Sequence, residues 1–164
     1  MAAFRTITSN YIKKQITEQP DSVILFLCFY VTTEGIRKLL SDIGIAVKEL
    51  ERNGSMILLD IMKVLQSPFF EVSDIERLRE LVKKIESHSK DRCLNVIADM
   101  SVFNHIKKSR ELLEYEKNLH RAIQIERWKE LCLYHIRDFE TMFSDEERNG
   151  LLKYHKGKVI TISN

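Results

Sequence analysis

The sequence predicts a three-layer α/β fold, with a mostly parallel sheet that is covered by helices on both faces. Apolar runs of strand length alternate along the chain with segments whose apolar residues recur at helical spacing. These runs lack regular polar positions, which is typical of strands that are buried on both faces of a sheet. Strands that alternate with helices form right-handed βαβ units, and such units build a parallel sheet.

The first half of the chain contains a variable N-terminal segment, residues 1–20, and then two predicted strand–helix units. In the N-terminal segment, "AFRTI" predicts a short strand, and Ser9 is expected to cap the helix that follows. "SVILFLCFYVTT" is the first long buried strand, and Glu34–Arg52 is the helix after it. "SMILLDIMKVL" predicts the next strand. The helix "VSDIERLRELVKKIESH" follows, with the capping box Ser73-x-x-Glu76.

The second half repeats this alternation. "CLNVIADMSVF" predicts a buried strand, "SRELLEYEKNLHRAI" a helix, and "ELCLYHI" a further strand. "SDEERNGLLKYH" is a short helix with the capping box Ser144-x-x-Glu147, and "KVITI" is a last strand whose direction stays open. The stretch 67–70, "SPFF", has the composition of a loop. We therefore predict one domain over residues 1–164, with its core in residues 21–164.

The composition excludes several classes of protein. The net charge of +2, from 26 basic and 24 acidic residues, gives no field for direct nucleic-acid binding. The longest apolar run, Val23–Val31, is about half of what spans a bilayer, and the N-terminus lacks the apolar core of a signal peptide. Three widely spaced cysteines without CxxC argue against a disulfide framework or a structural zinc site. We expect a reduced, cytoplasmic protein that contacts neither nucleic acid nor membrane.

The candidate site lies at the edge of the sheet where the strands end. In an open parallel sheet, ligands bind beyond the carboxyl ends of the strands. Polar side chains follow four of the predicted strands there, so we predict a ligand-binding site at this edge. The predicted ligand-binding residues are Thr32, Thr33, Glu34, Asp60, Asp99, Met100, Ser101, His135 and Arg137.

Most of these residues also have a simpler structural interpretation. Thr33 and Glu34 can start the next helix, where an acid is favoured by the positive end of the helix dipole. Asp60 and Asp99 can accept backbone hydrogen bonds in the turns after their strands. His135 can be a half-buried histidine whose ring nitrogens are satisfied by neighbours. The sequence leaves both interpretations open at each position.

The sequence contains no recognisable catalytic motif. None of its five glycines belongs to a GxxxxGK[ST] loop or to GxGxxG, and GxSxG and HExxH are also absent. Without a phosphate-binding loop, tight binding of ATP and magnesium loses its main support. Thr6, Thr8 and Ser9 are still expected near a helix N-terminus, a place that is able to hold an anion. We therefore expect no enzymatic activity, no cofactor and no metal.

Five segments in order carry a family resemblance: "NGSMILLD", "ADMSVF", "ELLEYEKNLH", "ELCLYHIRDF" and "LLKYHKGKVI". From about Val23 to Ile162, the chain resembles the MEDS domain, the methanogen/methylotroph DcmR-type sensory domain. That domain is similar to the RecA/KaiC-type ATPase core without its P-loop, so the resemblance implies a RecA/KaiC-like fold. It also implies that Glu34 stands near the catalytic glutamate of the ATPases, and Asp99 near their Walker B acid.

The resemblance implies a non-catalytic sensory or regulatory domain in archaeal or bacterial signal transduction or transcriptional control. Such a domain would bind a small organic ligand or a signalling protein. In relatives the domain is attached to a DNA-binding helix-turn-helix or to a signalling kinase, so a DNA-binding regulator or a histidine kinase is the implied partner. Two alternatives stay open: an atypical nucleotide-binding ATPase, in which Glu34, Asp60 and Asp99 bind magnesium together, and a homo-oligomeric assembly subunit.

Overall fold

A parallel sheet forms the centre of the fold in the computed structural model. The structure describes residues 2–65, 72–89, 92–105, 109–122 and 128–154. The strands lie in the order β2-β1-β3-β4, and each neighbouring pair is parallel. This confirms the predicted α/β class. The strands are β1 (Val23–Cys28), β2 (Met56–Asp60), β3 (Leu94–Asp99) and β4 (Trp128–Leu133).

Helices cover both faces of this sheet and occupy most of the remaining described chain. Among the described residues, each interval between successive strands contains two helices, and two more follow β4. The helices are α1 (Ala2–Glu18), α2 (Thr33–Asp42), α3 (Val47–Arg52), α4 (Ile61–Leu65), α5 (Val72–His88), α6 (Ser101–His105), α7 (Ser109–Ala122), α8 (Ile136–Met142) and α9 (Asp145–Tyr154).

Alternate side chains of β1 enter two different apolar layers, because successive residues of a strand point to opposite faces. Ile24 and Phe26 pack in one layer with residues of α1, α2 and α3. Leu25 and Leu27 pack in the other layer with residues of α4 to α9. Burying an aliphatic or aromatic side chain of this size contributes about 1.5–3 kcal/mol, so two apolar layers hold the helices on the sheet. The predicted arrangement of three layers is confirmed.

Two predicted strands are shorter than expected, because their second halves are helical. β2 ends at Asp60 and is followed at once by α4, and β3 ends at Asp99 shortly before α6 begins. A continuous apolar run has no period that separates a buried strand from a buried helix. In both cases the strand-end acid decides the change. Asp60 Oδ1 accepts the amide N–H of Met62 at 3.0 Å, and Asp99 Oδ1 accepts that of Ser101 at 3.1 Å.

The helix predicted over Glu34–Arg52 is divided into α2 and α3. Gly44 has a φ of 83°, a left-handed conformation that other residues rarely adopt, and it stands between the two helices. The Arg37 guanidinium joins them, because it contacts Glu51 of α3 at 2.8 Å and Glu34 of its own helix at 3.2 Å. The periodicity of the apolar residues continues across the break, so it could not indicate where one helix ends.

The prediction of a short strand at "AFRTI" was wrong, because these residues belong to α1. Thr8 and Ser9 lie inside this helix and are buried, so neither stands at a helix N-terminus, and the proposed anion position there is lost. The β-branched residues favour a strand locally, but packing decides: Ile12 is fully buried against the sheet. The same buried side of α1 carries Thr8 Oγ1 and Gln15 Oε1, which have no hydrogen-bond partner among the described residues.

Other predictions have mixed outcomes. The capping box at the start of α9 is confirmed, since Ser144 N donates to Glu147 Oε2 at 2.8 Å and Glu147 N donates to Ser144 Oγ at 3.3 Å. All three cysteines are unpaired, as expected. No helix in the described ranges combines the length and apolar character that a membrane span requires. The loop 67–70, the Ser73–Glu76 side chains and the strand "KVITI" lie outside the described residues and side chains.

Candidate functional site

The strand order creates a switch in chain direction between β1 and β3. After β1 the chain continues on one face of the sheet and reaches β2, and it then crosses on the other face to β3. The segments that leave the carboxyl ends of β1 and β3 therefore turn to opposite faces. In open α/β sheets this point is the preferred place for a ligand.

Asp99 joins the two segments at this switch point. Its side chain is buried, with 4 % exposed. Oδ2 accepts the amide N–H of Tyr30 at 3.0 Å, and Oδ1 accepts that of Ser101. Burial raises the pKa of Asp99 above its ordinary value, and the two amide hydrogen bonds oppose that shift only in part. The carboxylate thus fixes the loop after β1 to the start of α6.

Tyr30 lies directly above this contact and faces solvent. Among the residues that the structure describes, Tyr30 is the large hydrophobic side chain that is exposed, at 57 %. Its hydroxyl donates to Asp138 Oδ2 of α8 at 3.0 Å. Partial burial and the hydrogen bond to Asp138 raise the pKa of Tyr30. Tyr30 is therefore held at its backbone amide by Asp99 of β3 and at its hydroxyl by Asp138 of α8, while its ring is open to solvent.

Tyr30 belongs to a chain of four neighbouring rings, and we call the four residues Phe29, Tyr30, His105 and His135 the aromatic rim. The Tyr30 ring lies 5.2 Å from Phe29 and 6.0 Å, edge-on, from His135. Phe29 in turn lies 5.4 Å from the His105 ring. Both histidines are exposed, so the rim offers apolar ring faces together with imidazole nitrogens. Such a surface is suited to a small molecule that stacks on a ring and accepts or donates a hydrogen bond.

The last two predicted residues lie at the start of α8. His135 is the N-cap residue of α8, and its side chain makes no capping hydrogen bond. The helix therefore does not use the imidazole, which contacts Tyr30 instead. Arg137 lies in the first turn of α8 with an exposed side chain. Of the predicted residues, Asp99 and His135 contact Tyr30 directly.

The predicted residues after β1 mainly build the start of α2. Thr32 is the N-cap residue, and its Oγ1 accepts the amide N–H of Gly35 at 3.1 Å. Thr33 is the first helical residue, and the exposed Glu34 forms the ion pair with Arg37. These contacts agree with the simpler interpretation, in which the residues stabilise a helix end.

The predicted residues after β2 and β3 are engaged in the fold. Asp60 caps the first turn of α4 through Met62. The side chains of Met100 and Ser101 are buried, each with 2 % exposed, and Met100 belongs to the apolar layer under α4 to α9. These two side chains therefore belong to the interior of the fold and offer no open surface to a ligand.

The three carboxylates that magnesium would need together are used separately. In the part of the chain that the structure describes, no three His, Cys, Asp or Glu side chains are grouped to hold a metal ion. Glu34 is bound by Arg37, Asp60 by amides of α4, and Asp99 by the amides of two loops. The structure does not bring them into one coordination sphere.

The comparison with protein families assigns the chain. The model of MEDS, the methanogen/methylotroph, DcmR sensory domain, matches residues 2–156. The chain belongs to the MEDS family. Comparisons with curated proteins and with solved structures gave no match. The predicted MEDS assignment is confirmed, and membership of a sensory family is consistent with a sensory or regulatory role.

Sequence reasoning missed four residues around the switch point of this MEDS domain: Phe29, Tyr30, His105 and Asp138. Phe29 and Tyr30 were assigned to the long apolar strand, although β1 ends at Cys28. One signal was available, because two aromatic residues followed by Thr-Thr-Glu mark the point where a strand gives way to a helix start. His105 and Asp138 gave no local signal, since only the fold brings α6 and α8 to this edge.

This MEDS domain has a second polar cluster on the sheet face under α7. Tyr115 of α7 donates its hydroxyl hydrogen bond to Glu130 Oε1 of β4 at 3.3 Å. Tyr134, just after β4, donates to Glu116 of α7. Burial, with the charge of Glu116 nearby, raises the pKa of Glu130 to about 8. Glu130 is therefore mainly protonated at neutral pH, and α7 and β4 are joined by phenol–carboxyl contacts.

Proposed function

We propose that the chain is a non-catalytic sensory domain that binds a small organic ligand at the aromatic rim. The observation that carries this proposal is the position of Tyr30, an exposed aromatic ring at the switch point of a parallel sheet. We place its action in the cytoplasm of an archaeon or bacterium, where it would regulate signal transduction or transcription. The MEDS assignment supports the sensory role, and the geometry supports the place.

Tyr30 supports ligand binding because it is exposed and held at the same time. An aromatic ring at 57 % exposure offers apolar surface, and a ligand that covers this surface gains free energy by removing it from water. Its backbone is held by Asp99 and its hydroxyl by Asp138, so little conformational freedom is lost when a ligand stacks on the ring. The ligand that suits this rim is small, has an apolar face, and carries at least one polar atom for an imidazole or for the Tyr30 hydroxyl.

The same contacts suggest how binding is transmitted. Tyr30 connects the loop after β1 with Asp99 at the end of β3 and with Asp138 in α8. A ligand that competes for the Tyr30 hydroxyl would break its bond to Asp138 and release α8 from the rim. Binding then shifts the domain between two states to the extent that the ligand prefers one of them. The receiver of this change would be a DNA-binding regulator or a histidine kinase.

A ligand screen with three forms of the chain tests the proposal. We would measure thermal stability with a set of small aromatic and aliphatic compounds, and with ATP, ADP and Mg²⁺, for the natural chain, Tyr30→Phe and Tyr30→Ala. A rim ligand should raise the melting temperature of the natural chain and of Tyr30→Phe, which keeps the ring. It should lose this effect in Tyr30→Ala.

Three results would count against the proposal. Equal stabilisation of Tyr30→Ala by the same compounds would place the ligand elsewhere. Hydrolysis of ATP that disappears in Asp99→Asn would make the chain an enzyme. If no compound stabilises the chain and pull-downs capture no regulator or kinase, the proposed sensory role has neither a ligand nor a partner and should be abandoned.

A further inference from the structure

A second candidate site lies at the opposite edge of the sheet, where β1 and β2 begin. A groove of about 560 Å³ lies between the C-terminal half of α5, the turn before β2, and Arg92, which stands two residues before β3. Its volume is within the range of small-molecule sites. Its floor is apolar and consists of Val23, Ile57, Leu81 and Ile85.

The rim of this groove is basic. Lys84, His88 and Arg92 line it, and the lining residues that the structure describes include no acidic side chain. Arg92 donates to the backbone oxygens of Asp21 at 3.0 Å and Ser22 at 3.1 Å, and to Ser55 Oγ at 2.7 Å. These acceptors are neutral, so the hydrogen bonds fix the guanidinium in place without neutralising its charge.

The end of α5 would repel an anion if its carbonyl oxygens faced the groove unpaired, because the C-terminus of a helix carries a partial negative charge. Side chains at the end of the helix bond two of these oxygens. The His88 ring bonds the carbonyl oxygen of Lys84 at 2.6 Å, and Ser89 Oγ donates to that of Ile85 at 2.7 Å. A carbonyl oxygen only accepts, so Nδ1 of His88 carries the hydrogen. These two carbonyl oxygens are therefore paired, and the positive charges of Lys84 and Arg92 lie at the groove.

We propose that this groove binds a small carboxylate with an apolar body, of the medium-chain fatty-acid type. The carboxylate would lie against Lys84 and Arg92, and the hydrocarbon would lie on the apolar floor. Removing apolar surface from water favours the body, and each added methylene should tighten binding about fourfold until the floor is covered. The positive rim selects a carboxylate over a neutral or cationic head group. This site is separate from the aromatic rim, because the two lie at opposite ends of β1.

A titration with sodium octanoate, followed by ¹⁵N–¹H correlation spectra, tests the proposal on the full chain. Octanoate should shift the amide signals of Gly54, Leu81 and Ser89, while 1-octanol and octylammonium should bind at least about fivefold more weakly. Octanoate should also bind more tightly than hexanoate, and its affinity should fall as salt is raised, because salt screens the charge contact.

Two charge variants separate the groove from general attraction to a basic protein. Lys84→Gln should weaken octanoate binding about fivefold or more. Lys38→Gln removes the same charge from an exposed position on α2, outside the groove, and should leave binding unchanged. Arg92 is unsuitable for this purpose, because it also holds the loops together.

The proposal would be overturned if 1-octanol bound as well as octanoate, if Lys84→Gln and Lys38→Gln behaved alike, or if the shifted signals lay outside the groove. Tyr30→Ala shows whether octanoate binds in the groove or at the aromatic rim of the proposed function. Octanoate binding that survives Tyr30→Ala but fails in Lys84→Gln supports the groove, whatever the outcome of the ligand screen at the rim. Binding lost in Tyr30→Ala would instead place octanoate at the aromatic rim and overturn the groove proposal.

Discussion

Replacing Asp99 by alanine should destabilise the domain and loosen the loop that carries Tyr30. The carboxylate accepts the amide of Tyr30 at 3.0 Å and that of Ser101 at 3.1 Å, so it links the two segments of the switch point by hydrogen bonds. In Asp99→Ala both amides lose this partner. Asp99→Asn keeps one acceptor oxygen for one of the two amides. Its side-chain NH₂ group is a donor, so it cannot bond the other backbone N–H.

The expected loss follows from the burial of each amide. The Ser101 amide is buried, and an unsatisfied buried donor costs about 1–3 kcal/mol. The Tyr30 amide is only partly buried and can bond water in the variant, so its loss costs about 0.5–1.5 kcal/mol. Removing a buried charge returns some free energy, since burial raises the pKa of Asp99 and so disfavours its ionised form. We therefore expect a loss of about 2–3 kcal/mol for Asp99→Ala and about 1 kcal/mol for Asp99→Asn.

Urea unfolding gives the free energies, and amide hydrogen exchange locates the change. In Asp99→Ala the protection of the Tyr30 and Ser101 amides should fall, while that of β1 and β3 should persist. Asp60→Ala is the matched control, because Asp60 also ends a strand but, among the described residues, bonds amides of its own turn. It should cost about 1 kcal/mol or less. An Asp99→Ala chain within 0.5 kcal/mol of the natural one, with Tyr30 equally protected, would refute this reasoning.

Three further predictions concern stability. Glu130→Gln should flatten the pH dependence of unfolding, measured by urea unfolding at several pH values. Between pH 4.5 and about 8, the folded chain holds a proton on Glu130 that the unfolded chain has lost. The free energy of unfolding of the natural chain should therefore fall by roughly 2–4 kcal/mol as pH rises through this range. Asn95→Val should raise the melting temperature, with a gain of about 1–2 kcal/mol, because Asn95 is fully buried and its Nδ2 and Oδ1 have no partner among the described residues; no gain would indicate a partner for these atoms. Gly150→Ala should add about 0.5–1 kcal/mol in calorimetry, because Gly150 lies inside α9 and a Cβ there would meet no atom of the described chain outside its own helix within 4 Å. Gly44→Ala should instead lose stability, because Gly44 has a φ of 83°, and the same sign for both variants would contradict the argument.

Much of the fold could be predicted because the patterns that determine it are local. The run Val23–Cys28 is apolar at every position, which is what a strand covered on both faces requires. The capping residues Ser144 and Glu147 lie three positions apart, so their contact follows from spacing alone. The family was also predictable, since the segments that carry the resemblance are short and lie in a fixed order.

The limits of prediction were also physical. The apolar residues of "IMKVL" and "SVF" fit a strand as well as a helix, and the choice depended on hydrogen bonds from Asp60 and Asp99. The strand predicted at "AFRTI" became helical because Ile12 packs on the sheet, a contact with residues distant in sequence. Local propensity was overruled by tertiary packing in that segment.

The sequence by itself determined that helices and buried strands alternate, that no phosphate-binding loop is present, and that the chain belongs to the MEDS family. Only the tertiary structure decided that β1 lies between β2 and β3, and that Tyr30, Asp99 and Asp138 meet at one edge. The physical reason is the sequence separation over which each interaction acts. Periodicity and capping act over a few residues, whereas Tyr30 and Asp138 are 108 positions apart and are joined only after the strands have chosen their neighbours.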